Sequence, residues 1–183
     1  MARPSNTKQR ILQTARELFA TKGVQQTSLQ EIADRLGITK PALYYHFASR
    51  EDLVRSIVQP LLDDGEQFVA RMEQRQDVPL RDLVEGFFDF NHRHRADILL
   101  LLTEMTTLAE LGLVDTILSW RARLTRLVFG PDATLAQETR AVLAFGGMQD
   151  CCLQFPDTPV QELRAATVQA AWDALGLDQG TTT

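Results

Sequence analysis

The chain has 183 residues, 44% hydrophobic and 23% charged, so it is long enough to bury a core without disulfide or metal staples. Its two cysteines are the neighbours Cys151 and Cys152, which excludes a disulfide framework and favours a reducing cytoplasm. The net charge of −5 is unevenly placed: residues 1–55 hold nine Lys or Arg against five Asp or Glu, and residues 56–183 hold ten against nineteen. A basic head therefore precedes an acidic body. No apolar run follows the first basic residues, so no secretory leader is expected. The longest apolar run, Ile98 to Leu102, is too short to cross a membrane.

Taken in chain order, the elements are helical, and alternating β-branched runs are nearly absent, so the expected fold class is all-α. Ile11, Leu12, Ala15, Leu18 and Phe19 share a face behind candidate caps at Ser5, Asn6 or Thr7, and Lys22-Gly23 closes that helix. Ser28 to Glu31 has the form of a capping box and opens a second helix over about 29–36, ended by Gly37. Thr39 caps a third helix over about 40–47, with Pro41 in its first turn, where a missing N–H is harmless. Ser49 to Asp52 opens a longer helix that Pro60 bends without ending. Further helices are expected at about 80–93, 96–109, 114–128, 133–154 and 159–175. The run Asn91 to Asp97, NHRHRAD, reads as the basic C-terminal end of one of them.

Two short helices joined through Leu36-Gly37-Ile38-Thr39 have the spacing of a helix-turn-helix. On the third helix Leu43 and Phe47 lie four apart and face inward, leaving Lys40, Pro41, Tyr44, Tyr45 and His46 outward. Adjacent tyrosines diverge by about 100° around a helix, so both cannot enter one core. On an exposed electropositive helix a phenol can donate a hydrogen bond to a phosphate. Lys40 adds charge at one end and Arg50 beyond the other, while the helix starts at Ser28 and Ser49 offer free N–H groups to anions. Surface tyrosines beside a solvated lysine would fit the two-helix pattern equally well. The order of the pieces decides.

The stretch TKQRILQTARELFATKGVQQTSLQEIADRLGITKPALYYHFASREDLV resembles the DNA-binding head of TetR/AcrR-family transcriptional regulators over roughly the first third of the chain. The resemblance implies a helix-turn-helix DNA-binding domain at 1–50 and a helical effector-binding and dimerisation domain at 51–183. It places Thr27, Ser28, Tyr44, Tyr45 and His46 at DNA-backbone contacts, and Thr39, Lys40, Pro41 and Ala42 at the start of the recognition helix, where base edges are reached. Ser49 and Arg50 complete the expected DNA-binding set; Arg50 stands where lysine is common in the family. The resemblance further implies a homodimer on a near-palindromic operator, a repressor released by a small apolar or amphipathic effector, with no cofactor. The alternative is a constitutive DNA-binding protein of the same fold.

The expected partner surface is the last two helices. Leu135, Thr139, Val142, Leu143 and Gly146 make one stripe of the first, and Ala141, Ala144, Phe145, Met148 and Cys152 another, so one can cover the core while the other meets a second copy. Val160, Leu163, Ala166, Ala170 and Trp172 offer the same on the final helix. For an effector, Phe87, Phe88, Leu102, Met105, Trp120 and Leu124 supply apolar walls, with Phe90 and Phe145 beside them. Asn91, Glu104 and Gln149 are placed to orient it.

Other chemistries fit poorly. His92 and His94 are two apart and diverge by about 200° on a helix, so they cannot share a metal ion. Cys151 and Cys152 have no adjacent cation to lower a thiol pKa. Neither a Ser-His-Asp order, a phosphate-binding loop nor a dinucleotide glycine pattern is present, and an enzyme is not expected.

Overall fold

The computed structural model describes residues 4–75, 79–103, 109 and 112–177. Among them are eight helices and no strand: α1 (Pro4–Lys22), α2 (Leu29–Leu36), α3 (Lys40–His46), α4 (Arg50–Glu73), α5 (Leu80–Thr103), α6 (Leu113–Phe129), α7 (Leu135–Gln154) and α8 (Val160–Leu175). None of the helices in the described residues is long and apolar enough to cross a membrane. The chain divides into two compact units, Met1–Leu62 with Leu99–Gly112, and Asp63–Ile98 with Leu113–Thr183.

In the first unit local chemistry sets each boundary. α1 is already helical from Pro4, the first described residue, so the three candidate caps lie within it and do not open it. Gly23 leaves the helix at φ 83°. Ser28 Oγ accepts the Glu31 N–H at 3.1 Å, but the Glu31 carboxylate turns to the Lys22 ammonium, so only half of the expected box is made. Gly37 stands at φ 65°, a left-handed conformation that glycine adopts without strain, and its N–H and that of Ile38 return to Asp34 and Ala33. Thr39 Oγ1 accepts the Ala42 N–H at 3.3 Å, and Ser49 Oγ the Asp52 N–H at 3.1 Å. Ile11, Ala15, Ile32, Leu43, Phe47 and Leu53 form the core beneath these turns.

Pro60 lies inside α4 and does not end it. Its ring removes the N–H that would pair with the Ser56 carbonyl. One residue on, the Arg16 guanidinium donates to the Ile57 carbonyl at 2.8 Å, tying α1 to the disturbed turn. The cation is partly buried there, which pulls its pKa below the usual arginine value.

In the second unit α5 corrects the sequence reading. It runs unbroken through the basic segment expected to end a helix near residue 93. The charges are met from another helix: Asp64 of α4 accepts from Arg93 at 3.2 Å and lies 2.9 Å from His94 Nε2. Asn91 donates to the Phe87 carbonyl one turn back. A run that needs no helix terminus to balance it can stay helical. Residues 104–108, in the helix expected at 96–109, lie outside the described set.

α7 opens on a reciprocal box between Thr134 and Gln137, and packs most extensively on α8. Ala141, Ala144, Phe145, Met148 and Cys152 are buried, while Leu135, Val142 and Leu143 remain 58–75% exposed. On α8, Leu163, Thr167, Val168, Ala171 and Leu175 turn inward. Leu163, expected on a partner surface, is therefore part of the unit's own core, and Val160, Ala166 and Ala170 are exposed.

Candidate functional site

The exposed face of α3 follows from its buried one. Leu43 and Phe47 are 0% and 1% exposed, so the residues between them must face solvent. Tyr45 is 87% exposed and Tyr44 45%, values that a tyrosine serving only the core would not show. The Lys40 ammonium sits 5.8 Å from the Tyr44 ring centroid, a cation–π contact that holds both side chains over one surface. The Tyr45 and His46 rings meet edge to face at 5.3 Å. Pro41 and Ala42, at the first turn, are exposed and small enough for another surface to approach closely.

The hydroxyl groups around this face differ in how far they are committed. Thr39 and Ser28 are exposed and Ser49 is half-buried. Each uses a lone pair on its cap; Ser28 and Thr39 retain an O–H able to donate, while the Ser49 hydroxyl also bonds to Glu51. Thr27 is only 1% exposed; its hydroxyl donates to the Gly23 carbonyl at 2.9 Å and its N–H to the Val24 carbonyl. Arg50 also turns inward along the surface, donating to the Gln25 carbonyl at 3.0 Å and to the Gln25 side-chain oxygen at 2.9 Å. Nothing in the local sequence marks Gln25 as its partner, because the two are 25 positions apart.

In the second unit, several candidate wall residues converge on one aromatic cluster. Phe87 meets Phe145 edge to face at 5.1 Å, and Phe90 meets Trp120 at 6.2 Å. Phe68 joins them at 6.4 Å from both Phe87 and Phe90. The sequence reading missed Phe68, although its spacing from Leu61 along α4 continues one apolar face. Phe88 and Leu124 are fully buried, Phe88 stacking on His92 at 5.8 Å. Asn91 is buried with its amide committed to Phe87, and Gln149 is half-buried. Leu102 belongs to the other unit and is 43% exposed; Glu104 and Met105 lie outside the described residues.

Glycine lets the rings of this cluster lie against helix backbone. A Cβ on Gly65 would fall 2.4 Å from the Trp120 ring, and one on Gly86 2.7 Å from the Phe68 ring. The indole N–H of Trp120 donates to Glu66 at 2.9 Å, and Arg123 bridges Glu66 and Glu73. The Trp120 and Arg123 donors hold the Glu66 carboxyl below its ordinary range, and Arg123 does the same to Glu73. His94, with help from Arg93, likewise lowers Asp64. Burial, reinforced by the neighbouring Cys151, pushes the Cys152 thiol up to about 11, the reverse of what a reactive cysteine needs.

A helix-turn-helix head carrying an outward phenol-and-cation face, followed by a larger helical unit, defines a class of helical regulators. Comparison with known proteins supplies the family. The family described as bacterial regulatory proteins, tetR family, matches residues 11–57. Over 121 residues the chain is 31% identical to the HTH-type transcriptional repressor KstR2 of Mycolicibacterium smegmatis, a match covering 62% of this chain and 57% of the relative. Over 83 residues it is 37% identical to the HTH-type transcriptional activator FasR of the same organism, covering 44% and 38%. The chain thus spans about half or less of these relatives. A transcriptional regulator (TerR/AcrR family) from Aquifex aeolicus VF5 shares the fold, with TM-score 0.72, 22% identity, and coverage of 90% of this chain and 96% of that one. Residues 11–57 thus match the tetR family of bacterial regulatory proteins, and the chain is similar to TetR/AcrR-family transcriptional regulators.

Proposed function

We propose that the protein is a homodimeric DNA-binding repressor that leaves a near-palindromic operator when a small apolar or amphipathic effector binds its second unit. The observation that carries the DNA-binding part is the exposed face of α3, with Lys40, Tyr44 and Tyr45 set outward over buried Leu43 and Phe47. Tyr44, Tyr45, His46, Ser28 and Ser49 would hold the sugar-phosphate rails, where Lys40 adds its charge; Thr39, Lys40, Pro41 and Ala42, at the start of the recognition helix, would approach base edges. Seven residues of helix read few base pairs, and a two-fold partner doubles the site, with half-sites about 34 Å or a multiple apart. The exposed stripe Leu135, Val142 and Leu143, with exposed Ala166 and Ala170 on the next helix, suits that partner.

Effector release requires tighter binding to the conformation that does not fit the operator. The rings around Phe87, Trp120 and Phe145 supply apolar chemistry for such a ligand. The rival reading, a constitutive DNA-binding protein, draws support from the close seating of Trp120 on Gly65 and Phe68 on Gly86. Titrating effector classes against the operator complex, with Trp120 fluorescence as a second signal, separates the two.

The deciding experiment selects bound genomic fragments and then measures the affinity of the recovered operator for the parent and for Lys40→Ala/Tyr44→Ala/Tyr45→Ala. Loss of three contacts per protomer, of about 1 kcal/mol each and doubled in the dimer, predicts binding weakened by roughly 10,000-fold. The fall of log affinity with log salt should also become shallower. Parental affinity in a folded triple variant would end the assignment.

A further inference from the structure

Arg50 has the sequence position of a phosphate-binding cation, yet both of its terminal nitrogens already donate within the chain. Nη1 donates to the Gln25 carbonyl at 3.0 Å and, at the longer distance of 3.4 Å, to the Val24 carbonyl. Nη2 donates to the Gln25 side-chain oxygen at 2.9 Å. The third nitrogen, Nε, stands 3.9 Å from the Glu51 carboxylate. These acceptors belong to the turn between α1 and α2, which Thr27 closes through bonds to Gly23 and Val24. The next residue is Ser28, the cap of α2. The first residue of α4 thus clamps the segment that delivers Ser28.

We propose that Arg50 is a positioning residue of the DNA-binding head: it fixes the α1–α2 turn, and through it the Ser28 hydroxyl, and it does not itself neutralise a phosphate. The proposal rests on the DNA-binding reading above. It follows that lysine cannot substitute. A planar guanidinium reaches a backbone carbonyl and a side-chain amide with two parallel donors, whereas an ammonium on a shorter, flexible stem acts as a point charge.

The test measures operator affinity against salt for the folded parent, Arg50→Lys, Arg50→Gln and Lys40→Ala. Arg50→Lys and Arg50→Gln should weaken binding to a similar degree, several-fold each, while the slope of log affinity against log salt stays at the parent value. A lost phosphate contact lowers that slope by about 0.9 per protomer, which Lys40→Ala serves to register. Amide exchange at residues 24–28 should quicken in both Arg50 variants. Parental affinity in Arg50→Lys, a reduced slope in Arg50→Gln, or unchanged exchange at 24–28 would each overturn the proposal. Parental affinity in Arg50→Gln would leave the residue a stabilising contact only, and overturns it too. Absence of salt-dependent DNA binding in the parent would instead count against the DNA-binding reading, and the exchange measurement still decides the clamp.

Discussion

The helix starts of the first unit are set by residues three apart, and the helices of the second are held by residues dozens apart. Ser28 with Glu31, Thr39 with Ala42 and Ser49 with Asp52 fix the backbone of the head. In the body the ties run from Asp64 to His94, Glu66 to Trp120, Glu73 to Arg123 and Glu85 to Arg164. Short-range caps give the head's helices fixed starts, beside the longer ties of Arg16 to Ile57 and Arg50 to Gln25, which suits the proposed presentation of one face to DNA. Long-range ties let each core be particular to its chain, which suits the proposed binding of an effector there. The relatives point the same way: the family match covers residues 11–57, within the head and the start of α4.

The strongest way to break this contrast is to attack the exposed stripe of α7. Leu143 is 70% exposed between Val142 and Gly147 and touches little of its own unit. Leu143→Glu should leave the unfolding midpoint of dilute protein near the parent's while weakening self-association by about 100-fold, the effect of an interface residue contributing a few kcal/mol. Sedimentation across a concentration series reads it. An unaltered dimer would move the partner surface elsewhere.

A smaller effect sharpens the contrast from inside the body. Gly65→Ala improves helix propensity by about 1 kcal/mol in an unconstrained helix. Here the new methyl would meet the Trp120 ring at 2.4 Å, and the ring is pinned by its bond to Glu66. Overpacking of this kind costs about 1–3 kcal/mol, so the net change should be destabilising and should shift Trp120 fluorescence. Urea unfolding decides the sign; a stabilised variant would mean that the ring moves aside freely.

What the sequence made legible divides along the same line. The starts of α2 and α3 were readable because a cap and its N3 residue are neighbours in the chain, and the end of α2 because Gly37 follows it at once. The inner and outer stripes of α7 were readable because 3.6-residue periodicity is also local. The continuity of α5 was hidden, since the carboxylate that steadies His94 lies 30 positions away. Gly65 and Glu66 escaped notice because their meaning depends on Trp120, more than fifty residues on. Arg50 shows the same limit inside the head: its charge was visible, and its acceptors were not.

The smallest expected effect concerns acid. Glu66 is held below its ordinary value of 4.5 first by the Trp120 N–H and then by Arg123, and Glu73 by Arg123. A carboxyl whose folded pKa is depressed contributes stability that is complete above its unfolded pKa and is lost as pH falls through the folded one. The window therefore opens near pH 4.5 and extends downward. Both side chains are more than a third exposed, so solvent screens the bridge and the contribution is modest. Arg123→Met should remove the share that Arg123 supplies to Glu73 and Glu66 while leaving Trp120 bonded to Glu66. Between pH 6 and 5 the parent and the variant should lose stability in parallel; between pH 4.5 and 3 the parent should lose more, and the two urea midpoints should converge. Midpoints that stay equally far apart down to pH 3 would mean that the bridge adds nothing in solution, and that the body is held by its aromatic packing without help from these long-range charges.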